Sequence, residues 1–269
     1  MEHPVLSTVL SRQMDNYLQQ LSANHITDFS SISLEKLNSI NLSVREDTKF
    51  IFHENILISI LNDVSPFYDI LNINNEQIFK YRTRYYDTNN YQFYTQHQNG
   101  NKKRFKIRVR EYSSVSEIFF EIKIKNNKNK TSKERFIFDG IIYNLEEDIK
   151  KMTFDTIGHS IDDLQESLIV DYDRISLVDK NLEERITIDT GLKVKNKSGA
   201  KSFDGLIIVE LKQSRYNPRS NFIKALRKYK VYETRFSKYC IGLTQIDNSL
   251  KHNRFKPQLI KLDKILTHK

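Results

Sequence analysis

The chain has 269 residues, with 43 Lys and Arg against 34 Asp and Glu, a net charge of +9 and a pI near 9.3. With 38% hydrophobic residues, 29% charged residues and only 7 Gly and 4 Pro, it falls outside the disordered and fibrous classes and can bury a sizeable core. A single cysteine, Cys240, excludes a disulfide framework and a cysteine-rich zinc site, and the positive excess predicts an anionic partner.

No apolar run approaches the roughly 20 residues of a membrane-spanning helix. The opening MEHPVLSTVLSRQ has neither a basic n-region nor a small-residue cleavage site. A cytoplasmic location without a direct membrane span is therefore expected, and the oligomeric state stays open. In chain order, residues 5–21 carry a helical apolar stripe, so residues 1–30 are expected to be a helical extension preceding one domain over 31–269. Ser33 reads as the N-cap of a short second helix in SISLEKL. The run 45–52 alternates as a strand with Arg45, Asp47 and Lys49 on one face.

A helix is predicted over about 54–71, then an aromatic strand over 81–88 with Arg82, Arg84 and Tyr86 together on one face. Asn99 and Gly100 mark a turn that makes the following strand the next limb of an antiparallel meander. That strand, RFKIRVREY, sets Phe105, Ile107 and Val109 against Arg104, Lys106, Arg108 and Arg110. The device recurs with Phe120, Ile122 and Ile124 against Glu121, Lys123 and Lys125, and again with Lys133 and Arg135. Like charges in register repel, and a polyanion lying across them is the economical explanation.

Helical patterns follow in LEEDIKKM and GHSIDDLQESL, then strands in LIVDYDRISLVD, ERITIDTGLKV and GLIIVELKQS. On these, Tyr172 and Arg174 share a face, as do Arg185, Thr187 and Asp189, and as do Glu210 and Lys212. Asn217 and Pro218 read as the start of a helix reaching about Tyr232, and Lys238 leads into a short apolar strand before a basic tail. About eight strands with charged faces suffice to close a barrel around a ligand.

Nothing fits a P-loop or a GxGxxG fingerprint, no GxSxG elbow is present, and His53-Glu54 lacks the second histidine of a zincin. His97 and His159 are isolated and read as surface or turn residues. What remains is a set of Lys and Arg with a few carboxylates, the inventory of phosphoryl transfer, where positioning and charge neutralisation supply most of the catalysis. Nucleic acid is not expected, because stacking platforms need exposed aromatics, whereas Phe105, Phe120, Phe136 and Phe138 alternate with the charges and should face the core.

The runs VREDTKF, TRYYDT, RFKIRVREY, FFEIKIK, SKERF, DYDRISL, RITIDT, VELKQSR and FSKYCIG, in this order, resemble the VTC domain, the polyphosphate-polymerase branch of the CYTH-like triphosphate tunnel metalloenzymes. The resemblance covers roughly residues 31–245. It implies an α+β fold, an antiparallel barrel with helices packed outside, whose basic tunnel binds ATP and inorganic polyphosphate with a Mn2+ or Mg2+ ion. It implies transfer of the ATP γ-phosphate to a growing chain. By motif, Lys49, Arg108, Arg110, Lys123, Arg174 and Lys238 resemble the catalytic cations, Lys133 resembles a phosphate contact, and Glu210 resembles the metal ligand. Arg84, Lys106, Arg185 and Lys212, on charged strand faces, are expected to add phosphate contacts.

The ExExK signature of the CYTH hydrolases is replaced here by Arg45, Asp47 and Lys49, a departure that favours the polymerase branch. Eukaryotic members add an SPX module and membrane helices, and neither is expected here. A triphosphate hydrolase or cyclase of the same fold, or a non-catalytic polyphosphate binder, are the alternatives.

Overall fold

The computed structural model describes residues 28–40, 45–113, 115–126, 131–138, 145–158 and 161–267. The expected helix over 5–21 lies outside the described residues, as does His159. Eleven strands form one sheet: β1 Ser30–Ile32, β2 Glu46–His53, β3 Tyr68–Leu71, β4 Phe79–Asp87, β5 Arg104–Tyr112, β6 Val115–Lys125, β7 Thr131–Phe138, β8 Gln165–Asp179, β9 Glu184–Asn196, β10 Gly199–Ser202 and β11 Leu206–Gln213. Its main path runs β2-β11-β9-β8-β4-β5-β6-β7, antiparallel at every step, with β1, β3 and β10 attached at the side. The helices are α1 Leu34–Ser39, α2 Leu57–Val64, α3 Gln92–Asn99, α4 Leu145–Ile157, α5 Asn221–Lys228, α6 Lys238–Ile246 and α7 Lys256–Thr267.

Strand-period alternation gives β2, β11, β9, β8, β5 and β6 an apolar face that helices cover, and it turns the charged faces the other way. Phe50 and Phe52 of β2, Ile207, Val209 and Leu211 of β11, Ile186 and Ile188 of β9, and Ile175 and Leu177 of β8 are buried under Leu57, Ile60 and Leu61 of α2 and Phe222, Ile223 and Leu226 of α5. On the other half, Ile107 and Val109 of β5 and Phe120 and Ile122 of β6 pack with Phe93 of α3 and Ile149 of α4. The opposite, charged faces then enclose a bore. Lys123 of β6 feels the charges of Asp47 on β2 and Glu210 on β11, so the two ends of the path face one another. Among the described residues β2 and β7 share no ladder, so the wall is barrel-like rather than closed by hydrogen bonds.

One helix sits against the inner face. Tyr239, Cys240, Ile241 and Leu243 of α6 join inward-facing Ile51, Leu168, Val170, Leu192, Val194 and Ile208 in a second core at one end of the bore. A Cβ at Gly242 would meet Leu168 Cδ2 at 3.0 Å and Val194 Cγ1 at 3.1 Å, so the absence of a side chain there lets α6 rest directly on β8 and β9.

Several local expectations need correction. Residues 54–71 are a 3-10 turn at Glu54–Ile56, α2, a second 3-10 turn at Ser65–Phe67 with Pro66, and strand β3. The segment between β4 and β5 is helix α3, with Gly100 as its left-handed C-cap, although β4 and β5 still pair. The second helical run after α4 does not form in its described part, since β8 begins at Gln165. Helix α5 starts three residues later than Pro218, with Ser220 as N-cap accepting from Ile223 N. Residues 238–246 are helix rather than strand, and the basic tail is α7. Ser33 caps α1 as expected, accepting from Lys36 N.

Candidate functional site

The bore is a cavity of about 640 Å³ whose wall, among the described residues, holds twelve cations and two carboxylates. The period of two places Lys49 of β2, Lys106, Arg108 and Arg110 of β5, Lys123 of β6, Lys133 of β7, Arg174 of β8, Arg185 of β9 and Glu210 and Lys212 of β11 on it, together with Lys238 at the start of α6. All these expected site residues converge on one space. Arg45 and Arg135, which the alternation places on the same charged faces but which are not among the expected phosphate contacts, line it too.

Arg84 is the exception and does not contact the bore. On β4 the odd-numbered Tyr81 and Tyr85 face the bore, so Arg84 points to the other side, 3.1 Å from Glu111 and 3.7 Å from Glu166. His97, in the last turn of α3, is part-buried rather than exposed. Burial, followed by the nearby Lys106 and Arg104, holds its imidazole neutral with a pKa pulled down to about 2, and Nε2 lies 3.2 Å from the Phe105 carbonyl.

Three carboxylates anchor the cations in groups. Glu121, 1% exposed, accepts from Arg108 Nη2 at 2.6 Å, Lys133 Nζ at 2.5 Å and Arg135 Nη2 at 2.8 Å, with Arg110 Nη1 at 3.9 Å. Asp189, 2% exposed, takes both Arg174 Nε at 2.6 Å and Arg174 Nη2 at 2.8 Å, and also pairs with Lys238. Glu210 pairs with Lys49 and, at 3.2 Å, with Lys212. Burial alone would raise the pKa of all three, but the neighbouring cations outweigh it and hold each well below the usual carboxylate range.

Glu121 and Asp189 do not stand out as site residues in the sequence. The available signal is their place on cation-bearing strand faces. Four tyrosines also line the bore, and they hold arginines by ring contact: Arg174 lies 4.7 Å from the Tyr81 ring and 5.2 Å from that of Tyr172, and Arg110 lies 6.0 Å from that of Tyr112.

Other cations are left uncompensated. Lys106 stands directly opposite Lys123, and Lys123 directly opposite Lys133, across β5, β6 and β7, an arrangement that is destabilising without an anion. Among the described residues neither Lys106, Lys123 nor Arg185 has an ion-pair partner, and the buried Arg185 Nε and Thr187 Oγ1 have no hydrogen-bond acceptor or donor. These are the groups a phosphate chain would satisfy.

A divalent ion fits the donor set only in part. Glu210 lies opposite Lys49 and two residues diagonal to Asp47, which itself faces Lys212 across the ladder. Two hard carboxylates on one wall suit Mg2+ or Mn2+, provided the remaining ligands are phosphate oxygens and water. No group of three or more metal-ligating side chains exists among the described residues.

Two lysines make a pH prediction. Burial pulls Lys212 down to about 8 although Glu210 favours its charged form, and burial likewise pulls Lys133 down to about 8 against Glu121. The cationic form grips phosphate, so affinity should fall as pH rises through 8, and binding at pH 8 should recharge both lysines. Calorimetry with tripolyphosphate in buffers of different ionisation enthalpy should show about one proton more taken up by the wild type than by a Lys133→Arg, Lys212→Arg double variant. Equal uptake would contradict the shifts.

No curated sequence matches the chain. Among solved structures it is similar to a putative adenylate cyclase from Bacillus halodurans, at 10% identity and a TM-score of 0.47 over 72% of this chain and 95% of that one. It is also similar to a putative adenylyl cyclase from Hippeastrum, titled for a dominant triphosphatase activity, at 14% identity and 0.43 over 77% and 99%. A protein from Pyrococcus horikoshii OT3 gives 15% identity and 0.42 over 74% and 99%. These likenesses are too slight to carry an argument. The family model for the VTC domain, by contrast, matches residues 44–246 and so takes in every residue placed on the bore from Arg45 to Lys238. With well over half of its length matched by that model, this chain belongs to the VTC domain family.

Proposed function

We propose that the protein is an ATP-dependent polyphosphate polymerase working in the cytoplasm with Mn2+ or Mg2+. The supporting observation is the excess of charge among the described residues: twelve cations line the cavity against Asp47 and Glu210 on its wall and Glu121 and Asp189 behind it, and this excess is still more than a single triphosphate neutralises. Donor triphosphate and acceptor chain can therefore lie in the bore together, a requirement that a hydrolase does not have.

In the reaction, a terminal oxygen of the acceptor chain bonds to the γ-phosphorus of ATP while the bond from that phosphorus to the β,γ-bridging oxygen breaks. ADP leaves with the electron pair. The acceptor oxygen is already anionic, so the step needs alignment and charge neutralisation rather than a base. Water attack, in contrast, benefits from a base, and Glu121, Asp189 and Glu210 are all held ionised by cations and are weak bases.

Arg174 and Lys238, fixed by Asp189, and Arg108 and Arg110, fixed by Glu121, present pre-oriented donors to the transferring phosphoryl group. Lys106, Lys123 and Arg185 supply the uncompensated charge that holds the chain. Glu210, with Asp47 beside it, would hold the divalent ion, which when bound neutralises charge on phosphate oxygens. Incubation of the purified protein with ATP and Mn2+ tests the reading. ADP matched by polymer resolved on a gel, with little orthophosphate, is expected; ADP matched by orthophosphate without polymer would assign a triphosphatase.

A further inference from the structure

Outside the bore, a second cavity of about 540 Å³ opens beside the start of α6 and shares Asp47, Lys49, Lys106, Phe236 and Ser237 with the first. Its wall adds Lys102, Arg104, Lys125, Arg235 and Arg254 from four separate parts of the chain: the approach to β5, the end of β6, the segment before α6 and the turn before α7. Among the described residues, Asp47 is the one carboxylate on that wall.

The pairing of these cations differs from that in the bore. Inside, most are anchored by Glu121, Asp189 or Glu210. Outside, none of Lys102, Arg104, Lys125, Arg235 and Arg254 forms an ion pair with a described carboxylate. Arg104 stands directly opposite Lys125 in the β5–β6 ladder, next to the opposed pair Lys106 and Lys123 on the same face. Burial, and the nearby Arg254 and Arg235, disfavour its charge. Arg254 lies close over Gly100, where a Cβ would come within 2.4 Å of its Nη1. A row of like charges thus continues from the bore to the outside without a break.

We infer that this second cavity is a phosphate-chain site that holds the segment of polyphosphate extending beyond the bore. This rests on the polymerase reading for its ligand. A triphosphate is accommodated in the bore alone, whereas a long chain engages both spaces, so the outer cations set a preference for long chains and keep the growing product attached between transfers. The aromatics of the site do not offer a stacking surface for bases, since Phe236 is buried and Phe255 packs against the second core.

The test compares Arg235→Gln, Arg254→Gln and the double variant with the wild type. Both side chains are on the surface, and thermal midpoints check that folding is retained. Affinity is measured for tripolyphosphate and for long-chain polyphosphate at several salt concentrations. The double variant should bind the long chain about tenfold or more weakly relative to tripolyphosphate, with a salt slope shallower by about 2, one for each phosphate that an arginine no longer neutralises. Polymer made from ATP should also be shorter.

Equal weakening for both ligands, or none, would overturn the inference while leaving the polymerase reading intact. A wild type that makes no polymer but whose long-chain preference depends on these arginines would overturn the polymerase reading and keep the site. A preference of this cavity for a single-stranded oligonucleotide over polyphosphate of the same length would assign it to nucleic acid and overturn the inference.

Discussion

Replacing Glu121 by Gln should lower the stability of the ligand-free protein by about 3–5 kcal/mol, the cost of removing one partner from a buried ion-pair group. The carboxylate is 1% exposed and sits among Arg108, Arg110, Lys133 and Arg135. Lys133 and Arg135, with 38% and 40% of their side chains exposed, can turn toward water, but Arg110 at 11% cannot. Its charge would remain in the wall beside Arg174. Tripolyphosphate should restore much of the loss, because a ligand that binds only the folded state stabilises it, and the variant offers that ligand a stronger positive field. Denaturant titrations with and without tripolyphosphate measure both quantities. A loss below about 1 kcal/mol, the ordinary scale for a surface pair, would show that Glu121 is not the anchor of this wall. The sign with pH agrees: the folded-state pKa of Glu121 lies below its ordinary 4.5, so its contribution is present above that value and is lost as the pH falls through the folded one.

The second large effect is expected from Glu210→Gln. If Glu210 only neutralises Lys49 and Lys212, the amide should strengthen anion binding and leave turnover nearly unchanged. If it holds the divalent ion, turnover should fall on the order of 10²-fold or more, as when one preorganised charge contact to the reacting group is removed. Metal-free affinity for tripolyphosphate should at the same time hold or rise, because the two lysines lose their carboxylate. That opposite movement separates a metal ligand from a simple charge partner. Turnover within about threefold of the wild type would remove Glu210 from the metal site and leave Asp47 as the remaining carboxylate on that wall.

The charged faces of β2, β5, β6 and β11 are legible in the sequence because each strand opposes them with a run of Phe, Ile, Val or Leu, so period two has only one reading. Strand β4 has no such contrast. Tyr81 and Tyr85 lie on one side and Arg82, Arg84 and Tyr86 on the other, and taking the arginines to mark the bore puts Arg84 on the wrong side. Helix α6 reads as a strand because YCIGL is short and apolar throughout, and such a run does not distinguish a buried helix from a buried strand. The decisive signal is Ser237, whose side chain caps Cys240 N.

The anchoring roles of Glu121 and Asp189 are beyond reach for a different reason. They depend on which residues lie opposite across the ladder, Arg108 and Arg135 for Glu121 and Arg174 for Asp189, and register between strands is set by tertiary pairing. The pairing of β2 with β11, separated by most of the chain, is non-local in the same way.

The central claim, that the bore passes the γ-phosphate of ATP to a polyphosphate chain, is tested most directly by parallel incubations with γ-labelled and α-labelled ATP, each followed by separation of the polymer on a gel. The account predicts label in the polymer from γ-labelled ATP alone, with the converted α-label recovered as ADP; γ-label recovered as free orthophosphate, or α-label in polymer or in a cyclic nucleotide, would contradict it.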